Sequence, residues 1–281
     1  MFDSGLGGLT VAKRVLERLP KESIVYFADQ AHVPYGEKSP DTIRRFALGV
    51  TEFMVSRNCK LVIMACNMSS ATALDSAREY FAPIPVIGVI EAGARSAVHN
   101  ASGGPIGVLA TTGTVKTGAY TRTLHRLMPE VEVVEQACPR FVPIVEGGRT
   151  ETPDAEDAVK EYAQPLLAAG CKTIILGCTH YPFFLQMIEK VVGPDVKIVD
   201  PALETTIEAA EILRAAEKLA PIQSEPGHEY FTSGCPEQFA DIGSSFLGVR
   251  INSAHKLKWG TDIGEIEWQE KMVAQTIKSA L

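Results

Sequence analysis

The chain has 281 residues, 46% of them hydrophobic and 22% charged, and a formal charge of −7 at pH 7. That length suits about two domains, and the composition excludes disordered, collagenous and coiled-coil architectures. No apolar run approaches the roughly 18 residues of a membrane span, no basic leader opens the chain, and the acidic balance argues against nucleic-acid binding, so a soluble cytoplasmic protein is expected.

Short apolar runs at residues 24–28, 61–65, 85–90, 106–111, 131–134, 173–177, 196–199 and 229–233 predict strands. Several, such as Leu61-Val62-Ile63-Met64, show no polar alternation, as in strands covered on both faces. Helical patterns lie between them. In the first, Ala12, Val15, Leu16 and Leu19 share one face. Strands alternating with helices predict an α/β fold of parallel, doubly wound sheets with right-handed crossovers.

Residues 61–67 and 173–179 look alike. Each runs an apolar strand, a small residue, a cysteine and a polar residue, and Cys178 lies 112 positions after Cys66. Two related α/β halves would each present a cysteine at a strand's carboxyl end. Ligands in open α/β sheets bind at those ends, so a facing pair would share one crevice. A boundary near residues 91–94 and a return near 200–201 predict a discontinuous first domain, 1–92 plus 201–281. The second domain is then 93–200.

The chain has six cysteines, and none pairs at the C-x2-C spacing of zinc knuckles or redox dithiols. Without a secretion signal a disulfide framework is not expected, and most free cysteines simply fill cores. Cys66 and Cys178 depart from that background through their surroundings. Cys66 precedes a helix start, where the dipole lowers a thiol's pKa, and Asn67, Ser69 and Ser70 add donors suited to a carboxylate. Cys178 precedes Thr179, another such donor, and His180, which can tune the thiol.

Near the start, Asp3-Ser4-Gly5-Leu6-Gly7-Gly8 forms a small-residue turn into the first helix. It is neither a Walker loop nor a dinucleotide fingerprint. A carboxylate there would repel phosphate, so Asp3 suits an ammonium group or orients a neighbouring base. Capping the helix is its plain structural alternative. Two thiols in one cleft exceed what a cysteine protease needs. A thiolate on one face of a carbon acid and a thiol on the other would invert a stereocentre, given base pKa values near the working pH and donors for the growing carboxylate charge.

At this point a family resemblance is visible. Phe2-Asp3-Ser4-Gly5-Leu6-Gly7-Gly8, Asp29 with Val33-Pro34-Tyr35-Gly36, Ala65-Cys66-Asn67, the segment from Gly107 to Gly113-Thr114, Phe141-Val142-Pro143 with Val145-Glu146, and Leu176-Gly177-Cys178-Thr179-His180-Tyr181-Pro182 occur in order. Together they resemble the glutamate racemases of the aspartate/glutamate racemase superfamily, which supply D-glutamate for peptidoglycan. The resemblance implies two α/β domains facing across an active-site cleft. It implies Cys66 and Cys178 as acid/base thiols, acting on D- and L-glutamate respectively. Asp3 and His180 match residues that assist the thiols, and Asp29 and Glu146 match acidic positions with supporting roles. Asp3, Ser4, Tyr35, Gly36, Asn67, Met68, Thr179 and His180 fall on substrate-contact positions. No cofactor or metal, a small-molecule substrate and a homodimer are further implications.

Two departures accompany the resemblance. The family usually reads Cys-Asn-Thr where this chain has Cys66-Asn67-Met68, and a thioether cannot donate the hydroxyl's hydrogen bond to a substrate carboxylate. Racemisation of aspartate or another acidic amino acid, or a ligand-binding protein that has lost catalysis, stand as the alternatives. Only Met1 precedes Phe2, so the first strand is expected to be nearly absent, with Asp3 and Ser4 on a short, frayed segment.

Overall fold

A computed structural model of the chain describes residues 1–260 and 264–267. The first portion runs β1 (Phe2–Asp3), α1 (Leu9–Arg18), β2 (Val25–Ala28), α2 (Pro40–Ser56), β3 (Val62–Met64), α3 (Asn67–Tyr80) and β4 (Val86–Gly88). Next come α4 (Val89–His99), β5 (Ile106–Ala110), α5 (Thr112–Thr117), α6 (Ala119–Leu127) and β6 (Val133–Ala137). They are followed by α7 (Phe141–Glu146), α8 (Pro153–Ala168), β7 (Thr173–Gly177), α9 (Leu185–Val192) and β8 (Lys197–Val199). The last portion holds α10 (Pro201–Ala215), β9 (Glu229–Thr232), α11 (Pro236–Leu247), β10 (His255–Lys256), β11 (Lys258–Trp259) and β12 (Ile266–Glu267).

Two sheets organise these elements, in the orders β10-β9-β2-β1-β3-β4 and β6-β5-β7-β8, and every ladder within them is parallel. This is the α/β class expected from the sequence. Local chemistry starts several helices. Ser39, Thr152 and Asp200 accept from Thr42, Ala155 and Ala202 backbone N–H groups, and in each case a proline occupies the first helical turn.

Both sheets are covered on both faces, which explains the unbroken apolar runs. Along the first sheet, Tyr26, Ala28, Ile63, Ala65 and Ile87 pack to one side against α1 and α11. Their neighbours Phe27, Val62, Met64 and Val86 pack to the other against α2 and α3. In the second sheet Leu109, Ile174, Leu176 and Cys178 share one face, while Val108, Ala110 and Ile175 share the opposite one. Period-two alternation therefore decides which face each cysteine-bearing strand shows.

Of the predicted strands only 173–177 keeps its bounds, and three of the shifts have a plain cause. The run 85–90 ends as a strand at Gly88, because Val89 and Ile90 open α4 and bury against the sheet from a helix. The run 131–134 becomes Val133–Ala137 once paired with β5, and 24–28 loses Ile24. At the start of the chain the strand is indeed two residues long, but it is not frayed. Phe2 lies between Phe27 and Met64, Met1 donates its ammonium to the Val25 carbonyl at 2.7 Å, and Asp3 is completely buried. Flanking by two strands holds a segment that would not persist alone.

Ile175 is fully buried on the face of β7 opposite Cys178. Ile175→Ala is expected to lower stability by about 2–5 kcal/mol through the cavity it leaves, seen as a lower urea midpoint.

Candidate active site

On the first sheet, Asp3 ends β1 and its carboxylate closes the turn that follows. Oδ2 accepts from the Gly5 and Gly8 N–H groups at 3.2 and 3.0 Å. Tyr26 donates to the Gly5 carbonyl and holds the same turn from below. Asp3 thus fixes the start of α1 without capping it in the usual way, since Gly8 is the capping residue.

Cys66 follows β3 and caps α3. Beside it, Asn67 Oδ1 accepts from the Tyr120 hydroxyl at 2.8 Å, so its amide group is oriented from the second sheet's helix α6. Burial above all pushes the Tyr120 pKa well above its ordinary value, which keeps that hydroxyl a donor.

On the second sheet, Cys178 follows β7, and its Sγ lies 3.7 Å from His180 Nδ1. The other ring nitrogen, Nε2, is 2.7 Å from Glu146 Oε1, at the end of α7. Burial works against a charged imidazole here, but Cys178 and Glu146 outweigh it and raise the His180 pKa to about 10. A protonated ring therefore sits beside the Cys178 sulfur at neutral pH. Thr179 reaches across to Asp3, donating to Oδ1 at 3.3 Å.

Between the sheets lies a cavity lined by both thiols, Ser4, Tyr35, Gly36, Asn67, Met68, Thr179 and His180. Val33, Pro34, Thr111, Thr114 and Val142 complete the lining. The walls meet through residues without side chains. A Cβ on Gly7 would lie 2.5 Å from both His180 Nδ1 and Thr179 Oγ1, and one on Gly113 would lie 2.5 Å from the Gly36 carbonyl. A second cavity, about 90 Å³ and mostly apolar, lies beside Met1, Leu19 and Leu61. It sits away from the strand carboxyl ends where α/β sheets bind ligands.

The thiols stand in unequal fields. Burial pushes the Cys66 thiol up to about 12, helped by the charge of Asp3, while the backbone N–H and hydroxyl of Ser69 pull the other way. Asp3 is itself raised, mainly by burial, with His180 and the Gly5 and Gly8 N–H groups opposing.

The expected residues thus gather, but at different depths. Cys66, Cys178, Ser4, Tyr35, Gly36, Asn67, Met68, Thr179 and His180 reach the cavity, whereas Asp3, Glu146 and Asp29 support from behind it. Asp29 is fully buried and accepts from Tyr35 at 2.6 Å, Ser233 at 2.7 Å and Trp259 Nε1 at 2.7 Å, with His32 Nδ1 at 2.9 Å. The expectation that Ser69 and Ser70 serve a ligand carboxylate needs correction. Ser70 donates to the Met64 carbonyl and accepts from Val89 N–H, tying α3 to the sheet, and neither serine lines the cavity. Thr111 and Thr114 were not among the expected site residues. Their signal was a Thr-Thr-Gly-Thr run at the carboxyl end of β5, in the same strand-end position as each cysteine. Among the described residues, no group of three or more His, Cys, Asp or Glu side chains is placed to hold a metal ion.

Two parallel sheets with a cysteine at a strand's carboxyl end in each line one small cleft. Comparison with known proteins gives the family. The profile of the Asp/Glu/hydantoin racemase family matches residues 8–209. A glutamate racemase of Geobacter metallireducens is 44% identical, covering 92% of this chain and 95% of that one. The crystal structure of glutamate racemase isoform RacE1 from Bacillus anthracis superposes with a TM-score of 0.87 at 38% identity, over 94% of this chain and 97% of the other. That of Francisella tularensis glutamate racemase, in complex with D-glutamate, gives 0.84 at 35%, over 93% and 96%. The chain belongs to the Asp/Glu/hydantoin racemase family, alongside its glutamate racemases. It is an isomerase, an amino-acid racemase.

His180 has a folded pKa of about 10 against an ordinary 6.5, so the contacts of its protonated ring with Cys178 and then Glu146 stabilise the fold fully below about pH 6.5. That contribution fades as pH rises through 10. Urea midpoints should fall across this window in the wild type, and the fall should be shallower in Glu146→Gln.

Proposed function

We propose that the chain interconverts L- and D-glutamate by two-base proton transfer, with Cys66 and Cys178 acting from opposite faces of the α-carbon. The observation that carries this reading is the placement of both thiols in one cavity, each at a strand's carboxyl end and each from a different sheet. In the L-to-D direction the Cys178 thiolate takes the α-proton and the Cys66 thiol returns one from the other side. The reverse reaction exchanges their roles. Asn67, held by Tyr120, together with Thr179 and the amino end of α3, supplies donors for the carboxylate as its charge grows. His180, oriented by Glu146, stands 3.7 Å from the Cys178 sulfur and can exchange a proton with it, and Asp3 fixes the glycine turn and Thr179. Asp29 fixes Tyr35, and Ser4, Tyr35, Gly36 and Met68 shape the pocket around the substrate.

Glutamate as substrate is supported by the named relatives and by the D-glutamate bound in the Francisella enzyme. On this reading no cofactor takes part, and D-glutamate is made in the cytoplasm for peptidoglycan by a homodimer. The chain divides into residues 1–92 plus 201–281 and residues 93–200. Recruitment of β9 and β10 into the first sheet supports that division. Residues 261–263 and 268–281 of the returning segment lie outside the described residues. Met68 in the lining favours a second outcome, a shifted preference among acidic amino acids, because a thioether offers no donor.

Proton NMR in D2O is the test. Loss of the α-proton signal from both glutamate enantiomers is expected, and racemisation should fall at least ~10²-fold in Cys66→Ala and in Cys178→Ala. Exchange with aspartate alone would support the shifted preference. Silence toward both substrates would overturn the reading.

A further inference from the structure

Two thiols asked to do equivalent work have unlike neighbours. Cys178 has an imidazole 3.7 Å away, backed by Glu146. Around Cys66 the facing titratable groups are Asp3 from β1, Cys178 beyond β7, and the hydroxyls of Tyr26 and Tyr35. His180 lines the same cavity but its ring bonds to Glu146 and lies against Cys178, so the groups nearest the Cys66 sulfur on its own helix are dipoles.

Ser69 is placed to provide one. Cys66 is the N-cap of α3, and Ser69 is the third residue inside the helix. At that spacing the side chain and N–H of the third residue face back toward the N-cap residue, and the Cys66 sulfur forms no capping hydrogen bond. The Ser69 side chain is completely buried, and its hydroxyl has no hydrogen-bond partner. Other buried helical hydroxyls in this chain behave differently. Thr51, Thr205 and Thr206 each donate to the carbonyl four residues back, and Ser70 bonds to Met64 and Val89. The Ser69 hydroxyl instead acts on the Cys66 sulfur and does not line the cavity.

We propose that Ser69 is a positioning residue for Cys66, its hydroxyl donating a hydrogen bond to the sulfur only when the sulfur is charged. A neutral thiol is a weak acceptor, and a thiolate is a strong one. A donor left idle beside the thiol therefore stabilises one protonation state selectively. It acts on the state that accepts the α-proton of the D-enantiomer. The inference rests on the two-base reading for its meaning in catalysis, although the physical effect on the sulfur does not depend on substrate.

The directional rates cannot report it. Enantiomers have equal free energies, so kcat/KM must be the same in both directions for any variant. The informative experiment is alkylation of the full chain with iodoacetamide between about pH 7 and 10, where reactivity follows the thiolate fraction. Modification of Cys66 is followed by peptide mass spectrometry, with exposed Cys235 as the internal standard in the same digest. Ser69→Ala, a change that a helix tolerates, should slow Cys66 alkylation roughly three- to tenfold relative to Cys235. That is the loss of one hydrogen bond to a charged group, less the accompanying rise in nucleophilicity. Ser69→Thr, which keeps the hydroxyl, should follow the wild-type profile. Superimposed profiles for wild type and Ser69→Ala, or a Thr variant slowed as much as the Ala variant, would overturn the assignment. A wild-type chain without α-proton exchange would instead defeat the racemase reading and leave the alkylation result standing.

Discussion

The site depends on a missing side chain. A Cβ at position 7 would press into the His180 ring and the Thr179 hydroxyl at 2.5 Å, so only glycine lets the first sheet's turn meet the second sheet's strand end. From that approach follow the contact between Thr179 and Asp3, the burial of the imidazole and the shared cavity. A glycine-rich turn before a helix usually leaves space for a phosphate. Here the space is filled by protein, and the turn's N–H groups at Gly5 and Gly8 go to the Asp3 carboxylate.

Burial inside that closed cleft sets the electrostatics. Removing water weakens every charge that lacks a partner and strengthens every charge that has one. His180 gains from Cys178 and Glu146 more than burial takes away, and so it stays charged. Cys66 has no such partner, and burial with the nearby Asp3 charge holds its thiol high. The two halves resemble each other in backbone and differ in what surrounds each sulfur. Beside Cys178 stands the His180–Glu146 pair, and beside Cys66 the amino end of α3 with Ser69.

Support behind the cavity is extensive. Asp29 gathers donors from Tyr35, Ser233 and Trp259, which lie far apart in sequence and come together only because β9 and the segment after it return to β2. Trp259 also packs against Phe46 and His32, extending the wall next to Tyr35 and Met68. A loop residue of the cavity wall is thereby anchored to the last described strands of the chain.

Much of this was legible in the sequence because it is local. Strand–small residue–cysteine is a contiguous pattern, and unbroken apolar runs alternating with helical faces mark elements without reference to distant residues. Cys66, Asn67, Cys178 and Thr179 could be placed at strand ends on that basis, and all four line the cavity. The depth of each residue could not. Ser70 and Asp29 have the composition of site residues, yet their hydrogen bonds go to the scaffold. Thr111 and Thr114 look like ordinary helix-capping residues, yet they line the cavity. Asp3 seemed exposed to fraying because its strand has two residues, and flanking by β2 and β3 buries it completely. The sequence by itself determined the elements, the two cysteine-bearing strand ends and the chemistry available there, since these follow from covalent neighbours and periodicity. Only the tertiary structure decided which polar groups face the cavity and which are used up behind it, because burial and hydrogen-bond partners come from residues that are distant along the chain.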